Sequence, residues 1–134
     1  MCVFPTSDPT DFDSQVDVLL ANGFTELRIG LPAYNDTEYI ALCKASILRA
    51  IAKGAKVIWG VCSGGAPLTS SNWEAFRQGV KDTAQWAQDN GVYEFLIGNE
   101  DEMGTTLTLS QLIANFKSLA IEAVSYTHLR AHET

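Results

Sequence analysis

The chain has few basic residues for its length. Its 134 residues include 9 Lys and Arg against 16 Asp and Glu, which gives a net charge of -7 at pH 7. An acidic surface repels phosphate backbones and anionic lipid headgroups, so we expect no nucleic-acid partner and no membrane partner. A neutral sugar is compatible with this charge, although the charge does not require one.

Long apolar runs and cysteine motifs are also missing. No stretch approaches the roughly 18 consecutive apolar residues that cross a membrane. The three cysteines, Cys2, Cys43 and Cys62, are scattered without the spacing of a metal or redox motif. We interpret them as reduced thiols or small apolar side chains. With 46% hydrophobic and 19% charged residues, the composition is that of an ordinary globular domain.

Histidine is confined to the last residues of the chain. Residues 124–134 match an in-frame translation of a transposase sequencing adapter without a break, although Val124 is also compatible with native sequence. Translated scars of this kind are excluded from fold reasoning. Both histidines, His128 and His132, lie in this tail, so residues 1–123 contain none. We therefore predict one native domain over 1–123, without Ser-His-Asp or Cys-His catalysis and without histidine-ligated metal.

The rest of the sequence repeats one unit three times. Each copy opens with a glycine, continues into a short apolar run and ends in a second glycine, over residues 23–30, 54–60 and 91–98. The openings lie 31 and 37 residues apart, which suits one strand and one helix in each unit. Apolar residues at helical spacing predict helices before, between and after the copies. Strands that alternate with helices indicate a parallel sheet with right-handed crossovers.

These elements predict an α/β fold with three parallel strands and four helices. A complete (β/α)8 barrel needs about 250 residues, so the chain would hold roughly half of one. A flavodoxin-like open sheet fits the same order of elements. No Gly-rich phosphate loop follows any strand, because residues 63–67 lack both the Walker and the dinucleotide spacing. We therefore prefer the incomplete TIM barrel and expect no cofactor and no bound metal.

Alignment of the three copies predicts the direction of the strand side chains. It equates Gly30, Gly60 and Gly98, and it equates Arg28 with the residue two positions before each of the later glycines. Alternate residues of a strand share a face, so these glycines and Arg28 are expected on the same face as Glu100. In a barrel, this face points to the axis. The three glycines would then form an open layer below a substrate.

Residues 95–100, Phe-Leu-Ile-Gly-Asn-Glu, are the strongest candidate for chemistry. An apolar strand runs out through Gly98 into Asn99 and Glu100. The C-terminal tip of a parallel strand is where α/β barrels place catalytic groups. The Asn-Glu pair resembles that of the clan A glycoside hydrolases, whose fourth barrel strand ends in Asn followed by the acid/base Glu. The resemblance implies that Glu100 protonates the leaving oxygen and that Asn99 binds the sugar hydroxyl beside the reacting carbon.

A second segment, residues 23–32, resembles the second strand of family 5 glycoside hydrolases. In that family Gly-Phe precedes an Arg-Ile-Pro-like run, and the Arg supports the nucleophile. In this chain Gly30 and Leu31 intervene before Pro32. The resemblance implies that Arg28 belongs to the substrate-binding site. The alternative is a surface Arg at a strand edge.

The same resemblance implies the N-terminal half of a retaining glycosidase that cleaves O-glycosidic bonds in a carbohydrate. Tyr34, after the second-strand segment, is expected to line the pocket, and Glu102 is the fallback acid. The nucleophile, a Glu at the tip of the seventh strand, is expected in the remainder of the barrel, outside this chain. The fragment alone is therefore predicted to be inactive. The alternatives are a non-catalytic carbohydrate-binding or structural α/β domain, in which Glu100 is a solvated loop carboxylate, and a barrel enzyme of different chemistry.

Overall fold

The computed structural model describes residues 1–98 and 104–133, and in residues 124–133 it describes the helical backbone alone. Strands and helices alternate along the chain. In order they are β1 (Cys2–Val3), α1 (Pro9–Ala21), β2 (Glu26–Ile29), α2 (Thr37–Ala52), β3 (Lys56–Val61), α3 (Trp73–Asp89), β4 (Glu94–Ile97) and α4 (Leu109–Glu133). Helix α4 runs on into the predicted adapter tail, and the origin of that tail stays a prediction.

The α/β class is confirmed, but the prediction of three strands is wrong because the sheet has four. The strand that was missed, β1, is only two residues long. Pairing with β2 stabilises it, since the Arg28 N–H donates to the Met1 carbonyl at 2.9 Å and the Gly30 N–H to the Val3 carbonyl at 3.2 Å. Two residues carry no readable alternation, so local sequence could not predict this strand.

The four strands lie side by side in chain order, β1-β2-β3-β4, and all pairs are parallel. Flavodoxin-like sheets have the order 2-1-3-4-5, with a reversal next to the first strand. The described sheet has no such reversal. The strand order is therefore that of a singly wound α/β sheet.

Side chains from all four helices cover one face of this sheet. Leu27, Ile29, Val57 and Trp59 are fully buried on that face, in a cluster to which α1, α2 and α3 contribute. A second cluster joins the end of β3 to α3 and α4. Its buried members are Val61, Leu68, Phe76, Val80, Leu112 and Leu119.

The opposite face carries no helix in the described part of the chain. Arg28, Ile58 and Leu96 alternate with the buried strand residues, and each is half-buried. The sheet therefore has one face packed into the core and one face left largely uncovered.

Aspartates begin the first two helices. The carboxylate of Asp8 accepts the N–H of Thr10 at 2.9 Å, and that of Asp36 accepts the N–H of Tyr39 at 3.0 Å. Both satisfy amide groups that the first helical turn leaves free. The cap of α2, Asp36, follows the loop after β2. It therefore lies near the C-terminal ends of the strands, where the candidate site is expected.

Candidate active site

The candidate site lies at the C-terminal ends of the strands. Strand β4 is described as far as Gly98, whose N–H donates to the Val61 carbonyl at 2.9 Å and whose φ of 83° turns the chain out of the strand. The predicted site residues Asn99 and Glu100, and the fallback acid Glu102, lie outside the described residues. The structure therefore defines the surroundings of the predicted acid and not its side chain.

The loops after β2 and β3 are bound to each other. The Tyr34 N–H donates to the Cys62 carbonyl at 2.9 Å, and the Cys62 N–H donates to the Pro32 carbonyl at 3.0 Å. Gly64 approaches so closely that a Cβ there would lie 2.2 Å from the Cβ of Ala33. These contacts extend the pairing of β2 with β3 beyond the strand ends and form a close-packed platform.

The described part of the loop before α4 is anchored to the loop after β3. The hydroxyl of Thr105 donates to the Leu68 carbonyl at 2.7 Å, and the Thr106 N–H donates to the same oxygen at 3.2 Å. Gly98 on one side and Thr105 on the other are thus both bonded to β3 or its loop. The described residues that flank the Asn-Glu pair are consequently held at the edge of the sheet.

Arg28 lies on the uncovered face of the sheet, with Ile58 and Leu96. Its strand neighbours Leu27 and Ile29 are fully buried beneath the helices, so its own side chain faces the other way. Its Cα partners are Cys2 on β1 and Ile58 on β3. In the described ranges no Asp or Glu forms an ion pair with the Arg28 guanidinium. Its charge is therefore free to meet a carboxylate from elsewhere.

The predicted layer of three glycines is wrong. Strand β4 pairs two residues further along β3 than the repeats suggested, so Gly60 lies beside Leu96 and not beside Gly98. A Cβ on Gly30, where φ is +65°, would point at the α2 side chain of Cys43, with 2.9 Å to its sulfur. A shift of two residues keeps each side chain on its face, because the period of a strand is two. The shared face of Gly60 and Leu96 was thus predicted correctly, whereas Gly30 points to the helix side and the glycines do not lie at one level.

Tyr34 packs on α3. Its ring meets that of Phe76 edge to face, with 5.5 Å between centroids, and a Cβ on Gly79 would lie 3.1 Å from its Cδ2. These are packing contacts at the rim of the second core cluster. A role for Tyr34 in lining a substrate pocket stays a prediction.

The cysteines near the site are sheltered. The Cys62 thiol is buried at the end of β3, 3.6 Å from the Pro32 carbonyl and 3.7 Å from that of Leu31. Burial raises the pKa of the Cys43 thiol to about 12, so this thiol is protonated at neutral pH.

Sequence reasoning missed Ser63, whose hydroxyl-bearing side chain is buried just after the end of β3. The signal was a polar residue directly after a buried apolar strand.

Other kinds of site find no support among residues 1–98 and 104–133. No group of three or more His, Cys, Asp or Glu side chains in these ranges could hold a metal ion. No helix in the described part of the chain has both the length and the apolar character needed to cross a membrane.

Comparisons with family models, with curated proteins and with solved structures find no match to this chain.

Proposed function

We propose that the chain is the first half of a TIM-barrel glycoside hydrolase of clan A that acts with retention, and that Glu100 is its acid/base residue. The observation that carries the proposal is the architecture around β4. Four parallel strands lie in chain order with the helices on one face, and β4 leads directly into Asn99-Glu100. Sequential parallel strands with helices on the outer face are the arrangement from which a (β/α)8 barrel is built.

The position of β4 in the sheet supports this assignment. In the resembled family the Asn-Glu pair follows the fourth barrel strand. Counted from β1, β4 is the fourth strand of the described sheet. With β1 counted, the Asn-Glu pair follows the fourth strand, which is the position that the pattern of the resembled family requires.

Arg28 supports the proposal through its face and its lack of a described partner. A guanidinium on a half-buried apolar surface is costly unless it is paired. Arg28 lies on the sheet face that would point to the axis of a closed barrel. A carboxylate brought to that axis by further strands is the partner that its chemistry suits. We assign Arg28 to nucleophile support on this basis. We propose Asn99 and Tyr34 for substrate binding from their sequence positions after β4 and β2.

The proposed reaction needs two carboxyl groups. In retaining glycosidases they lie about 5 Å apart, one as nucleophile and one as acid/base. Glu100 would protonate the leaving oxygen, which requires a carboxyl pKa raised by burial or by the nearby negative charge of the nucleophile. The nucleophile would come from a later strand, outside this chain. The 134-residue chain by itself is therefore expected to have no glycosidase turnover.

The test begins with the coding sequence that extends this chain in its source DNA. We expect the native reading frame to depart from residues 124–134 and to carry a second strand-tip Glu on the order of 100 residues downstream, as a full barrel requires. In that longer protein Glu100→Gln should lower kcat/KM, which reports the first chemical step, by roughly 10²–10⁴ on a glycoside with a poor leaving group. The loss should be smaller on an activated aryl glycoside, whose leaving group departs without a proton.

Glu102→Gln is the matched control, since it removes a carboxylate two residues away. It should leave the rate nearly unchanged. Full activity of Glu100→Gln, or an equal loss in both variants, would contradict the assignment. Turnover by the 134-residue chain that Glu100→Gln abolishes would contradict the expected inactivity. Oligosaccharide binding that survives Glu100→Gln, in a longer protein without a second strand-tip Glu, would favour the non-catalytic carbohydrate-binding domain.

A further inference from the structure

The sheet of this chain ends in two open edges. Strand β1 pairs with β2 alone and β4 with β3 alone in the described part of the chain. An unpaired strand edge is a template for pairing with another chain. Because all strands of this sheet are parallel, a neighbour can extend it at either edge only by running in the same direction as β1 and β4.

We propose that two copies of the 134-residue chain close one eight-stranded barrel, in which β1 of each copy pairs with β4 of the other. A two-fold axis parallel to the strands keeps all eight strands parallel and uses the same two edges twice, so the assembly is closed. Eight strands enclose an interior that side chains can just fill. The proposal shares the half-barrel architecture with the proposed function and encloses the face that carries Arg28, but it requires neither Asn99 nor Glu100.

The uncovered sheet face favours a partner that closes over it. Ile58 and Leu96 are half-buried on this face, without a helix above them in the described ranges. Phe4, which directly follows β1 and its buried residue Val3, is 66% exposed. Arg28 shares this face, and the partly exposed apolar side chains beside it are a liability in a monomer. Barrel closure would bury it against the same face of the second copy.

The β1 edge has a cleft that suits a helix. A cavity of about 430 Å³ lies between residues 1–3 and α1, and its walls include Met1, Val3, Val18 and Leu19. Val18 is 61% exposed at this cleft. When β4 of a second copy pairs with β1, the helix that follows β4 comes to lie beside α1. The occupant of the cleft is then α4 of the second copy.

Helix α4 has an apolar ridge that no other described residue covers. Leu109, Ile113 and Ile121 follow one another at i, i+4 and i+12 and are 72%, 46% and 72% exposed. Residues four apart form a ridge that packs into the groove of a neighbouring helix. The opposite side of α4, with Leu112 and Leu119, is already buried against α3. The free ridge is therefore available to a second copy.

The charges of the two helices are complementary. Helix α1 contains three Asp and neither Lys nor Arg. Asp13 forms an ion pair with Arg49 of α2 and Asp17 with Lys53 directly after it, whereas Asp11 forms none with a residue in the described ranges. Lys117 is exposed on the α4 ridge between Ile113 and Ile121. An acidic α1 that faces a ridge with one Lys is a favourable pairing.

The exposed apolar surface is large enough for a stable dimer. Each large side chain at 46–72% exposure offers on the order of 100 Å². Six such side chains in each of two copies provide on the order of 1,200 Å², which reaches the lower limit of about 1,200–2,000 Å² for stable interfaces. Strand edges and the uncovered face add to this area. The six are Met1, Phe4, Val18, Leu109, Ile113 and Ile121.

Light scattering after size exclusion, together with sedimentation equilibrium, tests the proposal on the full chain. We expect twice the chain mass of 14.6 kDa and no larger species. Val18→Glu and Ile113→Glu should each raise the dimer dissociation constant on the order of 100-fold, because a closed dimer buries the new charge at both seams. Leu48→Glu is the matched control, since Leu48 is 46% exposed like Ile113 but lies on α2, away from both edges. Circular dichroism should show the same fold in all variants.

A monomer at every concentration would overturn the proposal. A series of larger oligomers would refute closure, because open edges that pair without closing form chains. Equal dissociation by Leu48→Glu would show that the seams lie elsewhere. Glu100→Gln should leave the dimer unchanged, so a failure of the catalytic assignment and a failure of the dimer give different results.

Discussion

Replacing Gly60 with alanine tests how closely β3 and β4 approach beneath the candidate site. A Cβ at this position would lie 2.2 Å from the backbone oxygen of Leu96 and 2.8 Å from its Cβ. Carbon atoms in ordinary contact are about 3.5–4.0 Å apart. The nearest atom belongs to the backbone of the next strand, so a rotamer change cannot relieve the clash. The two strands must separate where they are paired.

The expected loss follows from this geometry. Overpacking typically costs about 1–3 kcal/mol, and strained strand pairing adds about 1 kcal/mol for each weakened hydrogen bond. We expect Gly60→Ala to lower the free energy of unfolding by about 3 kcal/mol or more. Domains of this kind have roughly 5–15 kcal/mol in total, so the variant should be severely destabilised.

Urea unfolding, followed by circular dichroism at one protein concentration, measures this loss. With a slope of about 1–3 kcal/mol per molar urea, the midpoint should fall by at least about 1 M. Gly54→Ala is the control, because Gly54 has a φ of +94° and no atom within 4 Å of its Cβ position. Gly54→Ala should lower the free energy of unfolding by about 1–2 kcal/mol, which is the cost of holding alanine at a positive φ. A loss below about 0.5 kcal/mol in Gly60→Ala would refute the close approach of the strands.

Three further predictions concern packing and charge. The thiol of Cys43, buried and with its pKa raised to about 12, should resist maleimide in the native protein and react once the protein is unfolded in urea, as peptide mapping by mass spectrometry would show; equal labelling of Cys43 in both states would contradict the fold. Hydrogen bonds from Arg77 lower the pKa of Glu122 from its ordinary 4.5, so the stability they add is present above pH 4.5 and is lost as the pH falls through the lowered pKa. The unfolding difference between wild type and Glu122→Gln should therefore vanish in acid, and a constant difference would argue against the pair. Phe76→Ala should cost about 3–5 kcal/mol in urea unfolding, because its fully buried ring packs against three aromatic rings; a loss under about 1 kcal/mol would show a loosely packed cluster.

The repeated glycine-bounded runs predicted β2, β3 and β4 because each run has a strong local signal. The turn glycines Gly23, Gly54 and Gly91 all have positive φ and lie just before those strands. A residue with positive φ is a local requirement that only glycine meets without strain. The helices followed for the same reason, since an apolar stripe at helical spacing is a property of the segment itself.

Strand β1 and the register between β3 and β4 could not be predicted in this way. Two residues become a strand only because β2 offers them hydrogen bonds. The repeats placed Gly98 beside Gly60, whereas the sheet places Leu96 there. The register depends on packing against the helices and on the stagger between neighbouring strands. Sequence similarity between the repeats gives no information about either.

For the candidate site too, local sequence predicted some features and tertiary contacts decided the others. The sequence alone identified Asn99 and Glu100 at the end of an apolar strand, and it predicted the face on which Arg28 lies. It did not indicate that the Tyr34 ring packs on α3, because that contact joins residues more than 40 positions apart. Nor did it indicate that Ser63 is buried at the strand end.

The sequence by itself determined the α/β class, the alternation of helices with three of the strands, and the sheet face that Arg28, Ile58 and Leu96 share. These depend on local periods and on glycine positions that each segment carries within itself. Only the tertiary structure decided that the sheet of the described residues has four strands in chain order, and that within those residues one face carries no helix and neither edge strand has a second partner. Those features come from pairings between distant segments, whose cost in chain entropy is met only when the whole sheet and its helices pack together.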